Sequence, residues 1–203
     1  MPLSSAQLQS LVRRRASHLP AAPVRPARSL PAGVVVELTG LPEAGKTTAA
    51  LRYVAHTQKL GGRAAFIDSD GRFDREYAHT LGVDCPALTL VAPRPGEELV
   101  DIAVTLAASE ALSLVVVDSV ASLKPSGGDD DEVHVRLVAR ACGRLRDMAQ
   151  ATSTTVLLCH PLTEGPDGSP LPHPAGRAVR FYAALRLAAE DVLTNGWSLP
   201  DSV

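Results

Sequence analysis

Short apolar runs and longer amphipathic segments alternate along this sequence. The runs are rich in Val, Ile and Leu and are bounded by turn residues, which is typical of buried strands. They cover residues 34–39, 64–68, 88–91, 114–119 and 154–159. The segments with helical spacing cover residues 48–60, 75–81, 97–111 and 133–151, and a long Gly/Pro loop over 162–176 precedes a last strand over 180–187. This alternation predicts an α/β fold with a mostly parallel central sheet and helices on both faces.

The first 28 residues have a different character from the rest of the chain. Leu8, Leu19 and either Leu11 or Val12 fall on one face of a short helix, and residues 20–28 form a Pro-rich linker. Five arginines and no acidic residue precede Glu37. We therefore predict a basic N-terminal helix and linker over residues 1–28 and a core over residues 29–203. Alternatively, the arginines have no binding role: the helix then has an ordinary solvated face, and the linker is a stiff tether.

Composition narrows the class of protein. The chain has 45% hydrophobic and 21% charged residues, which is ordinary for a globular domain. No apolar run approaches the ~20 residues of a membrane helix, and no secretory signal is visible, so we expect no membrane partner and a cytoplasmic location. Three widely spaced cysteines indicate free thiols in a reducing compartment. A net charge of −2 means that any attraction to nucleic acid must come from local patches.

The segment from Gly40 to Thr47 fits the phosphate-binding pattern G-x-x-x-x-G-K-[ST] at every fixed position. A predicted strand precedes it and a predicted helix follows it, as the mechanism requires, which makes a chance match the weaker interpretation. Glycines let the backbone N–H groups turn towards phosphate oxygens, and the helix N-terminus adds positive charge. Lys46 would reach the β- and γ-phosphates, and Thr47 would hold Mg²⁺. The predicted nucleotide-binding residues here are Gly40, Glu43, Ala44, Gly45, Lys46, Thr47 and Thr48.

An acidic residue further along the chain also fits nucleotide and magnesium binding. Four aliphatic residues lead into Asp118 at the end of a predicted strand, which is where nucleotide hydrolases keep an acid that organises magnesium. The pattern is weak alone and strong downstream of a phosphate loop. We therefore predict ATP and Mg²⁺ as cofactors, with Thr47 and Asp118 at the metal.

Five segments together resemble the RecA family of recombinase ATPases. They are LPAGVVVELTG at 30–40, FIDSDGRFD at 66–74, the segment 77–84, VVVDSVASL at 115–123 and AGRAVRFYAALRL at 175–187, in the order of the family. The resemblance implies a RecA-like core that acts in DNA repair. It also implies that Asp74 and Tyr77 contact adenine; the weaker alternative for Tyr77 is a residue of the helix core.

The sequence also departs from the pattern of that family. Asp70 stands where the family has a water-activating glutamate, and its carboxylate is one methylene shorter, so we expect slow hydrolysis. His160 or Pro161, depending on register, replaces the phosphate-sensing glutamine. The predicted catalytic residues are therefore Asp70, Lys46 and His160, although a histidine at a strand end is more often structural. The N-terminal segment has one helix and the final core strands are absent, which predicts a minimal accessory paralogue such as the ImuA type.

The resemblance also implies two DNA-facing loops, at residues 125–132 and 162–175. Neither loop has an aromatic residue to stack on bases, so we expect weak, sequence-independent binding carried by arginines. The stripe Arg136, Arg140 and Arg144 could instead be an ordinary solvated face. The candidate DNA-binding residues are Arg13, Arg14, Arg15, Arg136, Arg140, Arg144, Arg177 and Arg180.

Three functions remain open at this point. The first is a RecA-like ATP-binding protein of DNA repair or damage-induced (SOS) mutagenesis, nucleoid-associated when it is bound to DNA. It would bind DNA, a recombinase or a translesion polymerase subunit, with weak ATPase activity that DNA either stimulates or leaves unchanged. The second is an ATP-gated protein adaptor with little DNA binding. The third is a small-molecule kinase, which is disfavoured because residues 162–176 lack the several arginines of a kinase lid.

Overall fold

The computed structural model describes residues 30–92, 94–126, 130–166 and 169–194. The predicted N-terminal helix and Pro-rich linker, with Arg13, Arg14 and Arg15, lie outside the described residues, as does part of the acidic loop. No helix among the described residues is both long and apolar enough to cross a membrane.

A mostly parallel sheet forms the centre of the molecule, in the order β3-β2-β4-β5-β1-β7. Every neighbouring pair along that path is parallel, and β6 pairs antiparallel with the end of β5. The predicted fold class is therefore confirmed. The strands are β1 Val35–Gly40, β2 Ala64–Asp68, β3 Thr89–Val91, β4 Leu114–Asp118, β5 Thr155–Glu164, β6 Pro170–Pro172 and β7 Leu185–Ala188.

Helices cover both faces of the sheet, because strands of a parallel sheet are apolar on both sides. One core packs α1, α2 and α6 against side chains such as Val36, Leu38 and Val116. The opposite core packs α3, α4 and α5 against Val35, Val115 and other residues that alternate with these. The helices are α1 Lys46–Lys59, α2 Arg75–Thr80, α3 Gly96–Ala107, α4 Asp131–Thr152, α5 Gly176–Tyr182 and α6 Ala189–Thr194, and Val120–Ser122 form a short 3₁₀ turn.

The prediction for residues 162–187 was wrong in two places. The expected loop contains an antiparallel strand pair, since β5 continues to Glu164 and pairs with β6, and Gly165 N donates to Ser169 O at 2.7 Å. The expected strand over 180–187 begins as helix α5, so Arg180 is helical. Helical spacing places Val179 and Tyr182 against the core and leaves Phe181 78% exposed.

Because the main strands are parallel, their carboxyl ends meet at one edge of the sheet. Gly40 at the end of β1, Asp68 at the end of β2 and Asp118 at the end of β4 are thereby brought to the same side. Ligands of open α/β sheets bind outside this edge.

Candidate nucleotide-binding site

The loop between β1 and α1 has the backbone that the phosphate-binding pattern requires. Gly45 has a φ of 83°, in the left-handed region, and a Cβ there would overlap the side chain of Leu193. A Cβ on Gly40 would lie 2.9 Å from the Cβ of Ala44. Gly45 is the N-cap of α1 and provides no side-chain hydrogen bond. The first N–H groups of the helix therefore remain available to an anion.

Lys46 folds back over this loop. Its Nζ donates hydrogen bonds to the carbonyl oxygens of Gly40 at 3.0 Å and Leu41 at 2.7 Å. Burial lowers the pKa of the Lys46 amine, and the neighbouring Cys159 and Asp118 oppose that shift. The amine is thus held at the mouth of the phosphate loop.

Thr47 and Asp118 meet across the site, as predicted for a magnesium pair. The Thr47 hydroxyl donates to Asp118 Oδ2 at 2.6 Å. Burial raises the pKa of the Asp118 carboxyl; the Thr47 hydrogen bond and Lys46 oppose the increase, whereas Asp70 and Asp68 reinforce it. Magnesium typically uses one or two carboxylates with hydroxyl, phosphate and water oxygens. Thr47 and Asp118 fit that donor set, and a cation there would favour the ionised form of Asp118.

A cavity of about 610 Å³ opens between the phosphate loop and the ends of β2 and β4. Predicted site residues on its wall are Glu43, Gly45, Lys46, Thr47, Thr48, Asp70 and Asp118. Sequence reasoning missed several other lining residues, among them Asp68, Arg72, Phe73, Ser119 and Ser122. These five lie within the RecA-like segments 66–74 and 115–123, but no spacing pattern distinguishes them there as ligand-binding residues.

The segment that carries Asp70 is fixed from both sides. The Asp68 carboxylate accepts hydrogen bonds from the backbone N–H groups of Arg72 at 3.0 Å and Phe73 at 2.9 Å. Ser69 Oγ donates to Ser119 O at 2.8 Å and accepts from Ser119 N at 2.7 Å. These bonds tie the segments after β2 and β4 together, and both Asp70 and Asp118 line the cavity.

Asp74 and Tyr77 lie next to the cavity rather than on its wall. The Asp74 carboxylate caps α2, accepting from the N–H groups of Glu76 at 2.9 Å and Tyr77 at 3.0 Å. The Tyr77 hydroxyl is 2.8 Å from Thr48 Oγ1, and the residue is 43% exposed. Tyr77 therefore stands beside the phosphate-loop helix with an accessible ring. The capping role of Asp74 adds a structural function to the predicted adenine contact.

The two residues that could occupy the sensor position point in different directions. Pro161 pairs in register with Gly40 and lines the cavity, whereas His160 pairs with Thr39 and is fully buried. The His160 ring lies against Gly176 and near His173. The geometry thus favours Pro161 for the sensor position, because Pro161 lines the cavity. His160 does not line it, so no contact with the cavity supports the predicted catalytic role of His160.

The predicted DNA-binding arginines do not form one free basic surface. Arg136 forms an ion pair with Glu132, and Arg144 forms one with Asp101 at 2.7 Å. Among the described residues, Arg140 and Arg177 are exposed and form no ion pair. Arg180 lies close enough to the buried Glu37 to oppose the rise in the pKa of that carboxyl, which burial causes.

Comparisons with known proteins agree with this architecture. The family model for the RecA N-terminal domain matches residues 25–195. Protein RecA of Tropheryma whipplei (strain Twist) is 41% identical over 175 residues, which are 81% of this chain and 40% of that protein. For Protein RecA of Salinispora arenicola (strain CNS-205) the identity is 40% over 168 residues, 78% of this chain and 48% of that protein. Protein RecA of Lactobacillus acidophilus (strain ATCC 700396 / NCK56 / N2 / NCFM) is 40% identical over 179 residues, 82% of this chain and 49% of that protein.

The chain spans about half the length of the curated relatives it matches, or somewhat less. The family match covers most of the chain and includes every strand and helix described above. The chain therefore belongs to the RecA family.

Proposed function

We propose that this chain binds ATP with Mg²⁺ in the cavity beside the phosphate loop and acts in DNA repair. The observation that carries the proposal is the constellation of Lys46, Thr47 and Asp118 at the carboxyl edge of the sheet, with a 2.6 Å contact between the last two. Membership of the RecA family supports the link to DNA.

Each part of the site has a distinct task in this proposal. The N–H groups at the start of α1 and the Lys46 amine bind the phosphates, and Thr47 and Asp118 hold the metal. Mg²⁺, when bound, neutralises phosphate charge. The ring of Tyr77 offers a stacking face for the base, as the family resemblance suggests.

Nucleotide binding is tested with a matched pair of lysine variants. Lys46→Ala removes charge-assisted contacts worth ~1.5–3 kcal/mol, so ATP affinity should fall at least about tenfold. Lys59→Ala, at the exposed other end of α1, should bind ATP like the wild type. A folded Lys46→Ala variant with wild-type affinity would refute the assignment.

We further propose that hydrolysis is slow because Asp70 is the general base and its carboxylate is retracted. A base must lie within hydrogen-bonding reach of the attacking water, and the glutamate side chain would extend further into the cavity. Asp70→Glu should therefore raise turnover, whereas Asp70→Asn should abolish it. If the Glu variant binds ATP but hydrolyses it no faster than the wild type, the length of the Asp70 side chain does not limit hydrolysis. Pro161 in the sensor position is then the next residue to test.

DNA binding in this proposal is weak and independent of sequence. Exposed arginines such as Arg140 and Arg177 contact phosphates, while the ion pairs of Arg136 and Arg144 reduce the positive potential of α4. Fluorescence anisotropy with single-stranded DNA should show steep salt dependence, about 0.7 units of log–log slope per phosphate contact. Arg140→Ala should flatten that slope more than Arg63→Ala, which changes an arginine of the segment between α1 and β2.

The ion pairs on α4 also favour a second function, an ATP-gated adaptor for a recombinase or a translesion polymerase, as in accessory proteins of the ImuA type. In that case the arginine stripe binds protein. No DNA binding at low salt with ATP present, together with retained ATP affinity, would favour the adaptor. ATP turnover stimulated by single-stranded DNA would instead favour the DNA-binding function.

A further inference from the structure

Arg72 is a cavity-lining residue of the segment 66–74 to which neither the phosphate-binding pattern nor the family resemblance assigns a role. It lies on the segment between β2 and α2, two residues after Asp70, and both residues line the cavity. Among the described residues the Arg72 side chain is exposed and forms no ion pair. Its guanidinium is therefore available to a ligand in the cavity.

The backbone of Arg72 is fixed although its side chain is exposed. The buried Asp68 carboxylate accepts a hydrogen bond from Arg72 N at 3.0 Å and another from Phe73 N at 2.9 Å. The Phe73 ring packs edge-on against Phe66, with 5.2 Å between the ring centroids. Gly71, with a φ of 72°, supplies the left-handed turn just before Arg72. The arginine thus projects from a pre-formed turn, which reduces the entropy lost on binding.

The charges on the cavity wall explain what such an arginine would bind. Lys46 and Arg72 are the cations among the residues that the structure shows lining the cavity, against four carboxylates. Lys46 belongs to the phosphate loop, whereas Asp70 and Arg72 belong to the segment that follows β2. A phosphoryl group that extends beyond the loop would approach the carboxylates of Asp70 and Asp118. Mg²⁺ held by Thr47 and Asp118 would offset part of that repulsion, and a further cation two residues from Asp70 would offset more of it.

We propose that Arg72 donates its guanidinium N–H groups to the terminal phosphate of bound ATP and thereby discriminates ATP from ADP. The planar guanidinium matches two phosphate oxygens at once, which a lysine cannot do. The phosphate loop and Lys46 contact phosphate in both nucleotides, so they supply less discrimination. This inference rests on the proposed function, because it requires that the cavity binds nucleotide.

The test compares ATP and ADP affinities, both with Mg²⁺, by calorimetric titration of the full chain. Arg72→Ala should weaken ATP binding about tenfold and ADP binding less than about twofold, because a charge-assisted bidentate contact is lost only from the triphosphate. Arg72→Lys should fall between Arg72→Ala and the wild type. Arg75→Ala is the matched control, since Arg75 is an exposed arginine at the start of α2 that does not line the cavity. Thermal unfolding checks that each variant is folded.

The outcomes separate this inference from the function on which it rests. A wild-type protein that binds neither nucleotide would overturn both. Wild-type binding with equal losses for ATP and ADP in Arg72→Ala would place the arginine at the base, ribose or inner phosphates and overturn the inference alone. Unchanged affinities in Arg72→Ala would do the same, because the side chain would then be merely solvated.

Discussion

His160 offers a quantitative test of how tightly β5 packs against the start of α5. Its imidazole is fully buried beneath Gly176, at the point where a Cβ on that glycine would overlap the ring. Burial lowers the pKa of His160 from 6.5 to about 4; the charges of the nearby His173 and Arg180 side chains add to the shift, and the backbone of Pro161 and of His173 opposes it. We therefore expect the imidazole to be neutral in the folded protein, and its protonation to destabilise the packing of β5 against α5.

The magnitude follows from proton linkage. Between pH 6.5 and pH 4 the unfolded chain binds a proton at this histidine and the folded chain does not, so the free energy of unfolding falls as the pH falls. A pKa difference of about 2.5 units corresponds to about 3 kcal/mol of stability lost by pH 4. Above pH 6.5 the contribution is fully present. The whole effect thus lies on the acidic side of neutrality.

The assay is urea unfolding followed by circular dichroism at intervals from pH 7.5 to pH 4. His160→Leu keeps a similar side-chain volume and removes the titrating group, while other titrations cancel in the difference between variant and wild type. The wild type should lose about 3 kcal/mol more than His160→Leu over this range. His79→Gln, which removes an exposed histidine on α2, is the control. Parallel curves for wild type and His160→Leu would refute the reasoning, because the buried ring would then accept a proton without cost.

Three further predictions concern stability and are checked by chemical unfolding without nucleotide. Gly176→Ala should cost ~1–3 kcal/mol because its methyl group overlaps His160, and His160→Ala in the same chain should reduce that cost; additive effects would exclude the overlap. Asp74→Ala should cost ~1 kcal/mol through loss of the α2 cap, whereas Asp74→Asn should be close to wild type; equal losses in both would show that the charge matters instead. Arg144→Ala should cost less than ~1 kcal/mol because its pair with Asp101 is half exposed, and a larger loss would indicate a role in packing α3 on α4.

The parts of the fold and site that the sequence predicts well depend on local chemistry. The phosphate loop was predictable because glycines, lysine and threonine occupy consecutive positions and the flanking strand and helix are adjacent in sequence. Asp118 was predictable because the end of a buried strand places it at the ligand edge of a parallel sheet. In the structure the hydroxyl of Thr47 donates to the carboxylate of Asp118 at 2.6 Å.

The parts that were mispredicted or missed depend on distant contacts. β6 contains Pro170 and Pro172, which argue against a strand, yet it tolerates them because it pairs on one side only, with β5. The ion pair of Arg144 joins residues 43 positions apart and has no local signal. Arg72 reaches the cavity only because Asp68 holds the turn before it.

The magnesium dependence of ATP binding tests the central assignment most directly. ATP affinity should be measured by calorimetry with Mg²⁺ and with EDTA for the wild type, Thr47→Val and Asp118→Asn. We expect Mg²⁺ to strengthen binding to the wild type and each substitution to reduce that gain about tenfold, because a charged or hydrogen-bonding oxygen is lost from the metal. Affinity in EDTA should be unchanged or higher. If the gain from Mg²⁺ is the same in all three proteins, Thr47 and Asp118 do not hold the metal and the account is contradicted.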